Sequence, residues 1–449
     1  MLDGAVTDER GPVPAWTSDA IWWQVHPLTF TGAEPAALPP GELRHRLPHL
    51  QRWLDHLLAL GCNGLALGPV FASGTHGYDT VDHFRVDPRL GDDADLDALF
   101  AAAHERGVRV LLDGVFNHVG RDHPAFRAVV EQGPDAPTAG WFRLHWPEGR
   151  TPGTPPGADV FEGHDALVEL DHSSPAVADL VTRVMTHWLD RGADGWRLDA
   201  AYAVPPSFWG RVLPAVRTAH PDAYVVGEVI HGDYARTVAD GGLDSVTQYE
   251  LWQAVWHGIA ERNLFELAWS LQRHGEFLRA FVPWTFVGNH DVTRIASAVG
   301  DPRHLSHALV VLMTVGGTPA VWAGDEHAFT GVKEHRAGGD DAVRPPFPAD
   351  PTGLSPLGAP TFGLHQELIG LRRRHRWLHT AAPEQVHVAN EQLVYRVAGD
   401  GQRLLVALNL ADAAARVPAP GPGPVLAGRA TVSRGEVELP AHGWAVLTG

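Results

Sequence analysis

The chain has 449 residues, 44% of them hydrophobic and 20% charged, which suits a globular protein with a large buried core. Its 35 basic residues stand against 53 acidic ones, a formal charge of −18, and this sets it against nucleic acid or an anionic membrane as a partner. Cys62 is the only cysteine, which excludes an intrachain disulfide.

The start of the chain, residues 1–14, is acidic and carries no apolar core of a signal peptide. No stretch approaches the roughly 20 apolar residues of a membrane helix, so a cytoplasmic location is expected. Sixteen tryptophans are present, and most are read as core aromatics. Lys333 is the only lysine, a bias for which no local mechanism is apparent.

Residues 21–26 (Ile-Trp-Trp-Gln-Val-His) read as a first strand closed by Pro27. Leu47, Leu50, Leu54, Leu57 and Leu58 then recur at helical spacing, with Gly61 as a stop. Residues 65–67 start a second strand, followed by a loop over residues 73–82 that contains Gly77-Tyr78-Asp79-Thr80. Asp93 or Asp95 is placed to cap the helix bearing Leu96, Leu99, Phe100 and Ala103. Residues 108–112 form an apolar third strand that runs into Asp113, Asn117 and His118.

From residue 119 to about 170 the periodicity breaks, with Gly133-Pro134, Pro137, Pro152 and Pro155-Pro156 as punctuation, so an irregular excursion is expected. Order returns at Ser174-Pro175, a cap and first-turn proline for the helix of Val177, Leu180, Val181, Val184 and Trp188. Five more apolar stretches follow. Trp196 and Leu198 alternate with Arg197 and Asp199, residues 223–226 lead to Glu228, and residues 243–249 form a sixth strand. Residues 284–287 lead to His290 and Asp291, and residues 320–322 to Asp325 and Glu326.

Alternating strands and helices imply parallel βαβ units. The count predicts an α/β protein with a (β/α)₈ TIM barrel, an insertion after strand three (domain B), and a C-terminal antiparallel β domain. The expected division is 1–118 and 171–380 for the barrel, 119–170 for domain B and 381–449 for a β-sandwich. A doubly wound open sheet is the alternative, but no Gly-x-Gly-x-x-Gly turn follows the first strand.

In a barrel the C-terminal strand ends share one face and carry the active site. Here they bring Asp113, Asn117, His118, Arg197, Asp199, Glu228, His290 and Asp291, with the Tyr78-Asp79 loop beside them. Carboxylates with histidines fit either a metal-dependent barrel hydrolase or a carboxylate pair acting on a glycosidic bond.

Resemblance decides between these. Residues 113–118, 195–199, 227–228 and 287–291 resemble, in order and spacing, the four signature regions of the α-amylase family (glycoside hydrolase family 13). Gly77-Tyr78-Asp79-Thr80 and Gly317-Thr318-Pro319 before Gly324-Asp325-Glu326 are similar too, and the likeness runs from about residue 21 to 347. In motif the chain most resembles the neopullulanase and cyclomaltodextrinase group, though too few residues precede strand one for that group's N-terminal domain.

The resemblance implies Asp199 as nucleophile, Glu228 as general acid/base and Asp291 as the carboxylate that holds sugar hydroxyls. It makes Arg197 the group that keeps Asp199 ionised, with negative neighbours raising Glu228, and gives His118 and His290 hydrogen bonds to the sugar. Tyr78 would stack on the sugar ring, and Asp79 would help order its loop. Asn117 matches a ligand of the family's calcium, with a hydrogen bond to the domain B backbone as the alternative; no other cofactor is implied. Asp340, Asp341 and Arg344, in the long loop of residues 330–361, are expected at the non-reducing-end sugars.

The implied activity is retaining hydrolysis of α-1,4 bonds in maltodextrin-type oligosaccharides, with α-1,6 bonds as the alternative. Alternatives are a transglycosylase, a sucrose- or trehalose-converting enzyme, or a non-catalytic amylase-like binding protein. Many family members carry Lys-His where this chain has Tyr202 and Ala203, and Ala200 is small, a feature that goes with α-1,4 bonds. The partner is an oligosaccharide, with no nucleic acid or membrane; the oligomeric state is left open.

Overall fold

Strands β1 (Trp22–Val25), β2 (Gly64–Leu67), β3 (Arg109–Gly114), β4 (Gly195–Leu198), β5 (Tyr224–Gly227), β6 (Ser245–Val246), β7 (Trp284–Phe286) and β8 (Thr318–Trp322) build one parallel sheet. This is a computed structural model, and it describes residues 13–148, 154–336 and 338–449. The strand order is β6-β5-β4-β3-β2-β1-β8-β7. A parallel bridge between Thr247 and Trp284 joins the two ends, and Gln248 N–H donates to Trp284 O at 2.9 Å. The ring therefore closes into a (β/α)₈ barrel, and the open-sheet alternative is excluded.

Period-two alternation sorts the strand residues into two layers. Trp22 points inward, stacked on Trp284 at 5.3 Å and on Tyr224 at 6.3 Å. It fits because residue 64 is glycine: a Cβ there would lie 2.3 Å from the Trp22 ring. Trp23, Trp196 and Leu198 point outward and pack in the layer between barrel and helices.

The first two helices used below are α1 (Leu54–Leu60), stopped by Gly61 at φ +101°, and α2 (Asp93–His104). Asp92, rather than the expected Asp93 or Asp95, caps α2. Its carboxylate accepts from Ala94 N and Asp95 N, while Asp95 accepts from Asp92 N, a reciprocal capping box. The loop expected at residues 73–82 is part of a hairpin, with Phe71–Ser73 paired antiparallel to Thr80–Val86.

The insertion after β3 is more ordered than its proline content suggests. It carries helix α3 (Pro124–Gln132), started by a first-turn proline and a His123 ring that accepts from Ala125 N. Strand His118–Gly120 pairs with Leu167–Glu169 and ties the insertion to the end of β3. Helices α4 (Pro175–Asp190), α5 (Leu305–Thr314) and α6 (Ala359–Arg374) cover the barrel further on.

The C-terminal part is antiparallel. Strands β9 (Pro383–Val388), β10 (Gln392–Gly399), β11 (Gln402–Asn409), β12 (Ala415–Pro418), β13 (Val425–Gly428), β14 (Thr431–Ser433), β15 (Glu436–Leu439) and β16 (Trp444–Thr448) form two sheets. Their orders are β9-β10-β11-β16-β13 and β12-β15-β14, and Val394, Leu405, Val417 and Val437 share the core between them. No helix among the described residues is long and apolar enough to cross a membrane.

Candidate active site

Register places the charged strand ends side by side. Arg197 on β4 pairs with Asp113 on β3 and with Val226 on β5. One step beyond, Asp199 N–H donates to Gly114 O at 3.0 Å and Glu228 N–H to Leu198 O at 2.8 Å. Both side chains thus leave the barrel just above its last hydrogen-bonded layer. A cleft of about 820 Å³ opens there, lined among others by Tyr78, His118, Asp199, Glu228, Asp291 and Arg344.

Arg197 organises the floor. Its buried guanidinium donates to Asp113 at 2.7 and 2.9 Å and to Asp199 Oδ1 at 3.1 Å, and it pairs with Glu228 Oε1 at 2.7 Å. The other Glu228 oxygen accepts from Ala200 N at 3.0 Å. Ala200 sits at φ +45°, ψ +36°, a left-handed conformation that costs a residue with a Cβ about 1–2 kcal/mol. The strain turns the backbone N–H after Asp199 toward Glu228, the kind of outlier that clusters at functional sites.

Burial is the main influence on Asp199 and pushes its carboxyl well above the usual carboxylate range; Arg197 pulls it back only in part, and the negative charges of Glu228, Asp113 and Asp291 add to the rise. Arg197 thus acts on Asp199 in the expected direction, and burial outweighs it. The reason is geometric: one guanidinium is divided among three carboxylates, and its shorter contacts go to Asp113 and Glu228.

Asp291 is the opposite case. Burial works to raise it, but His290 (Nε2 to Oδ2, 2.9 Å), Arg344 (Nη2 to Oδ1, 2.8 Å) and Lys333 outweigh burial and hold it well below the usual range. Burial pulls the His118 imidazole down to about 4, so it is neutral at pH 7.

The remaining expected residues fall into two sets. Tyr78 edges the cleft with its ring stacked on His290 at 5.6 Å and 5°, and its hydroxyl reaches Asp113 at 3.3 Å. His118 Nε2 meets Tyr78 O at 3.1 Å, and its ring stacks on Phe161 of the insertion at 4.8 Å. Arg344 donates to His290 O at 2.7 Å and reaches Asp340 at 3.1 Å, while Asp340 also pairs with Lys333 at 3.3 Å. Asp341 lines the cleft.

Asp79 and Asn117 are not brought to the cleft. The Asp79 carboxylate accepts from Thr75 N and Thr75 Oγ1 at 3.0 and 2.9 Å, so it acts on its own loop. The Asn117 amide bonds to His118 Nδ1 at 3.2 Å, and its carbonyl accepts from Leu170 N at 3.0 Å. Through these two contacts Asn117 ties the insertion to the end of β3.

Sequence reasoning missed two participants. Tyr249, just past β6, donates to Glu228 Oε1 at 3.1 Å and itself accepts from Asn289 at 2.9 Å. A buried tyrosine needs a partner for its hydroxyl, and its place at a strand end was the available signal. Glu162, at the tip of the insertion, accepts from Tyr202 Oη at 2.7 Å, and both line the cleft.

Barrel-end carboxylates around a buried arginine, in an open cleft roofed by an insertion, define a glycoside hydrolase-type barrel. Residues 46–352 match the family described as alpha amylase, catalytic domain, and residues 384–447 match a domain of unknown function. A cyclomaltodextrinase of Bacillus sp. is 31% identical over 423 residues, 88% of this chain and 73% of that protein. The acarbose-soaked debranching enzyme of Nostoc punctiforme superposes with a TM-score of 0.80 at 26% identity, covering 97% of this chain and 99% of that one. The cyclic α-maltosyl-(1→6)-maltose hydrolase of Arthrobacter globiformis, in complex with that sugar, gives 0.81 at 25% identity, covering 98% and 100%. The chain belongs to the α-amylase family, and the Bacillus relative falls in the group that the motifs resemble.

Proposed function

We propose that this chain is a cytoplasmic, retaining α-glucan hydrolase acting on α-1,4 bonds of short maltodextrin-type oligosaccharides. The observation that carries the proposal is the attachment of Asp199 and Glu228 to one guanidinium at the floor of the cleft. That sharing favours the short carboxyl separation, about 5–5.5 Å, of a retaining pair. The substrate class is supported by the Bacillus relative's name and by the cyclic maltosyl-maltose held by the Arthrobacter relative. The cytoplasmic part is supported by Cys62 being the only cysteine, buried and free.

Glu228, protonated, gives its proton to the glycosidic oxygen as that bond breaks. Asp199, as the carboxylate, attacks the anomeric carbon from the opposite side and forms a glycosyl ester. The reactive form has Asp199 as the carboxylate even though burial raises its affinity for a proton. Glu228 then takes a proton from water, and the hydroxide so formed displaces Asp199 with a second inversion. Asp291, held ionised by Arg344 and His290, is placed to accept from sugar hydroxyls and to favour the flattened, positively charged ring.

Asp341 and Arg344 lie where the non-reducing end would sit, and Tyr78 where the ring would stack. The paired Asp340, Lys333 and Arg344 line the cleft beside them. With this reading goes a division into a barrel of residues 1–118 and 171–380, an insertion of 119–170 and a C-terminal domain of 381–449. The test is anomer-resolved NMR on maltotriose, with a cyclodextrin, pullulan, sucrose and trehalose compared by chromatography. An α first product supports the assignment, and a β first product sinks it.

A further inference from the structure

Away from the cleft, the junction between barrel and C-terminal domain holds a cluster that the sugar chemistry does not use. His304, immediately before α5, is 1% exposed. Its Nε2 lies 3.0 Å from Nδ1 of His442, which comes from the loop between β15 and β16. The second nitrogen of His442 reaches Asp412 Oδ1 at 3.0 Å. Asp301 completes the group: one oxygen of its carboxylate and one nitrogen of each imidazole all lie within 4.8 Å of one another.

We propose that Asp301, His304 and His442 form a site for a zinc-like divalent cation that clips the C-terminal domain to the barrel.

Four physical points support it. Zinc takes imidazole nitrogens at about 2.0–2.1 Å in tetrahedral geometry, so two such nitrogens sit roughly 3.3 Å apart. The observed 3.0 Å between His304 and His442 needs only a small outward movement. A ligating histidine usually gives its other N–H to a carboxylate, and Asp412 fills that place behind His442. In the tautomer with the His442 proton on Nε2, beside Asp412, the Nδ1 lone pair faces His304.

The frame is also rigid. His307, one turn further along α5, bonds through Nε2 to Asn409 O and Gly443 O of the C-terminal domain, both at 3.2 Å. Finally, the His304 nitrogen turned to the site is Nε2, whose present partner is the His442 Nδ1 that a cation would also take. Asp301 is paired with Arg303, and Asp412 with Arg262. Each carboxylate is thus neutralised where it stands, and the two imidazoles supply the affinity.

The experiment uses the full chain without a histidine tag, stripped of metal and titrated with zinc chloride by calorimetry and by thermal unfolding. The comparison variants are His442→Asn, whose residue suits the left-handed backbone there (φ +53°), and Asp412→Asn, which keeps both imidazoles. The wild type should bind about one more zinc per chain than His442→Asn, with a rise in Tm that saturates at that equivalent. Asp412→Asn should bind about 10–100-fold more weakly, as loss of a supporting carboxylate does elsewhere. Unchanged maltodextrin cleavage by the variants shows that they fold. Equal zinc uptake by wild type and His442→Asn overturns the site. So does loss of that equivalent in His327→Gln alone, which would assign the ion to the separate trio His56, Glu326 and His327.

Discussion

Arg197 lies 2.7 Å from Glu228 but 3.1 Å from Asp199. The proposed nucleophile is therefore the less well compensated of the two, and burial leaves it with a raised affinity for a proton. The folded form binds that proton more tightly than the unfolded chain, whose aspartates titrate near about 3.9. Stability tied to Asp199 is thus complete at low pH and is lost as pH rises through the raised value.

Asp199→Asn is expected to remove turnover, on the order of 10⁴-fold or more, as loss of a covalent nucleophile does. The same change should raise Tm at pH 7, because a neutral amide replaces a carboxylate that is costly to bury there. The gain should shrink as pH falls toward 4. Thermal unfolding of both proteins across that range checks the sign. A lower Tm for the variant at pH 7 would show that Arg197 compensates Asp199 fully.

Asp291→Asn should move stability the other way. Its carboxylate offsets Arg344 at 2.8 Å and His290 at 2.9 Å, and the amide would leave Arg344 with Asp340 as its remaining carboxylate beside the His290 carbonyl. A loss of about 1–2 kcal/mol is expected at pH 7. Because the folded value is depressed, the Asp291 contribution is present above about 3.9 and disappears as pH falls through the depressed value. Denaturant unfolding at pH 7 and at pH 4 should show a wild-type advantage that is largest at pH 7.

Much of this site was legible in the chain because barrel strands are apolar runs and any charge at their ends stands out. Asp113, Arg197, Asp199, Glu228 and Asp291 were visible in that way. The charge balance among them was not, because it depends on register: only the pairing of Arg197 with Asp113 reveals that the arginine is shared. Asp79 was expected to order its loop, and its carboxylate does accept from Thr75 there. Tyr249 was hidden for another reason. Its strand, β6, is only two residues long, and its value rests on a contact with Glu228 across 21 positions of sequence. The helix of the insertion was masked by neighbouring prolines, although Pro124 in fact starts it.

Tyr249→Phe removes one donor from Glu228 and leaves Asn289 without its acceptor. A hydrogen bond to a charged group is worth about 1.5–3 kcal/mol, so kcat on maltotriose should fall roughly 10–100-fold. Because the lost contact is to Glu228, the proposed acid/base, KM should change little. Steady-state kinetics separate the two, and a KM effect with unchanged kcat would make Tyr249 a sugar-binding residue instead.

The Tyr202–Glu162 bond, 2.7 Å long, is the contact by which the insertion reaches the loop after Asp199. Phe161, beside Glu162, also stacks on His118, so the tip of the insertion touches both sides of the cleft. Tyr202→Phe keeps the ring and removes the bond, which at a partly exposed site is worth about 0.5–1.5 kcal/mol. The roof should then open more often, and KM for maltotriose should rise about 2–10-fold with kcat little altered. If water enters more easily through the same opening, the share of transfer products at high maltotriose should fall relative to hydrolysis. Product analysis by chromatography at matched conversion reads that ratio. An unchanged KM and product ratio would mean that the insertion holds its position through the strand pair at residues 118–120 and 167–169 without this contact.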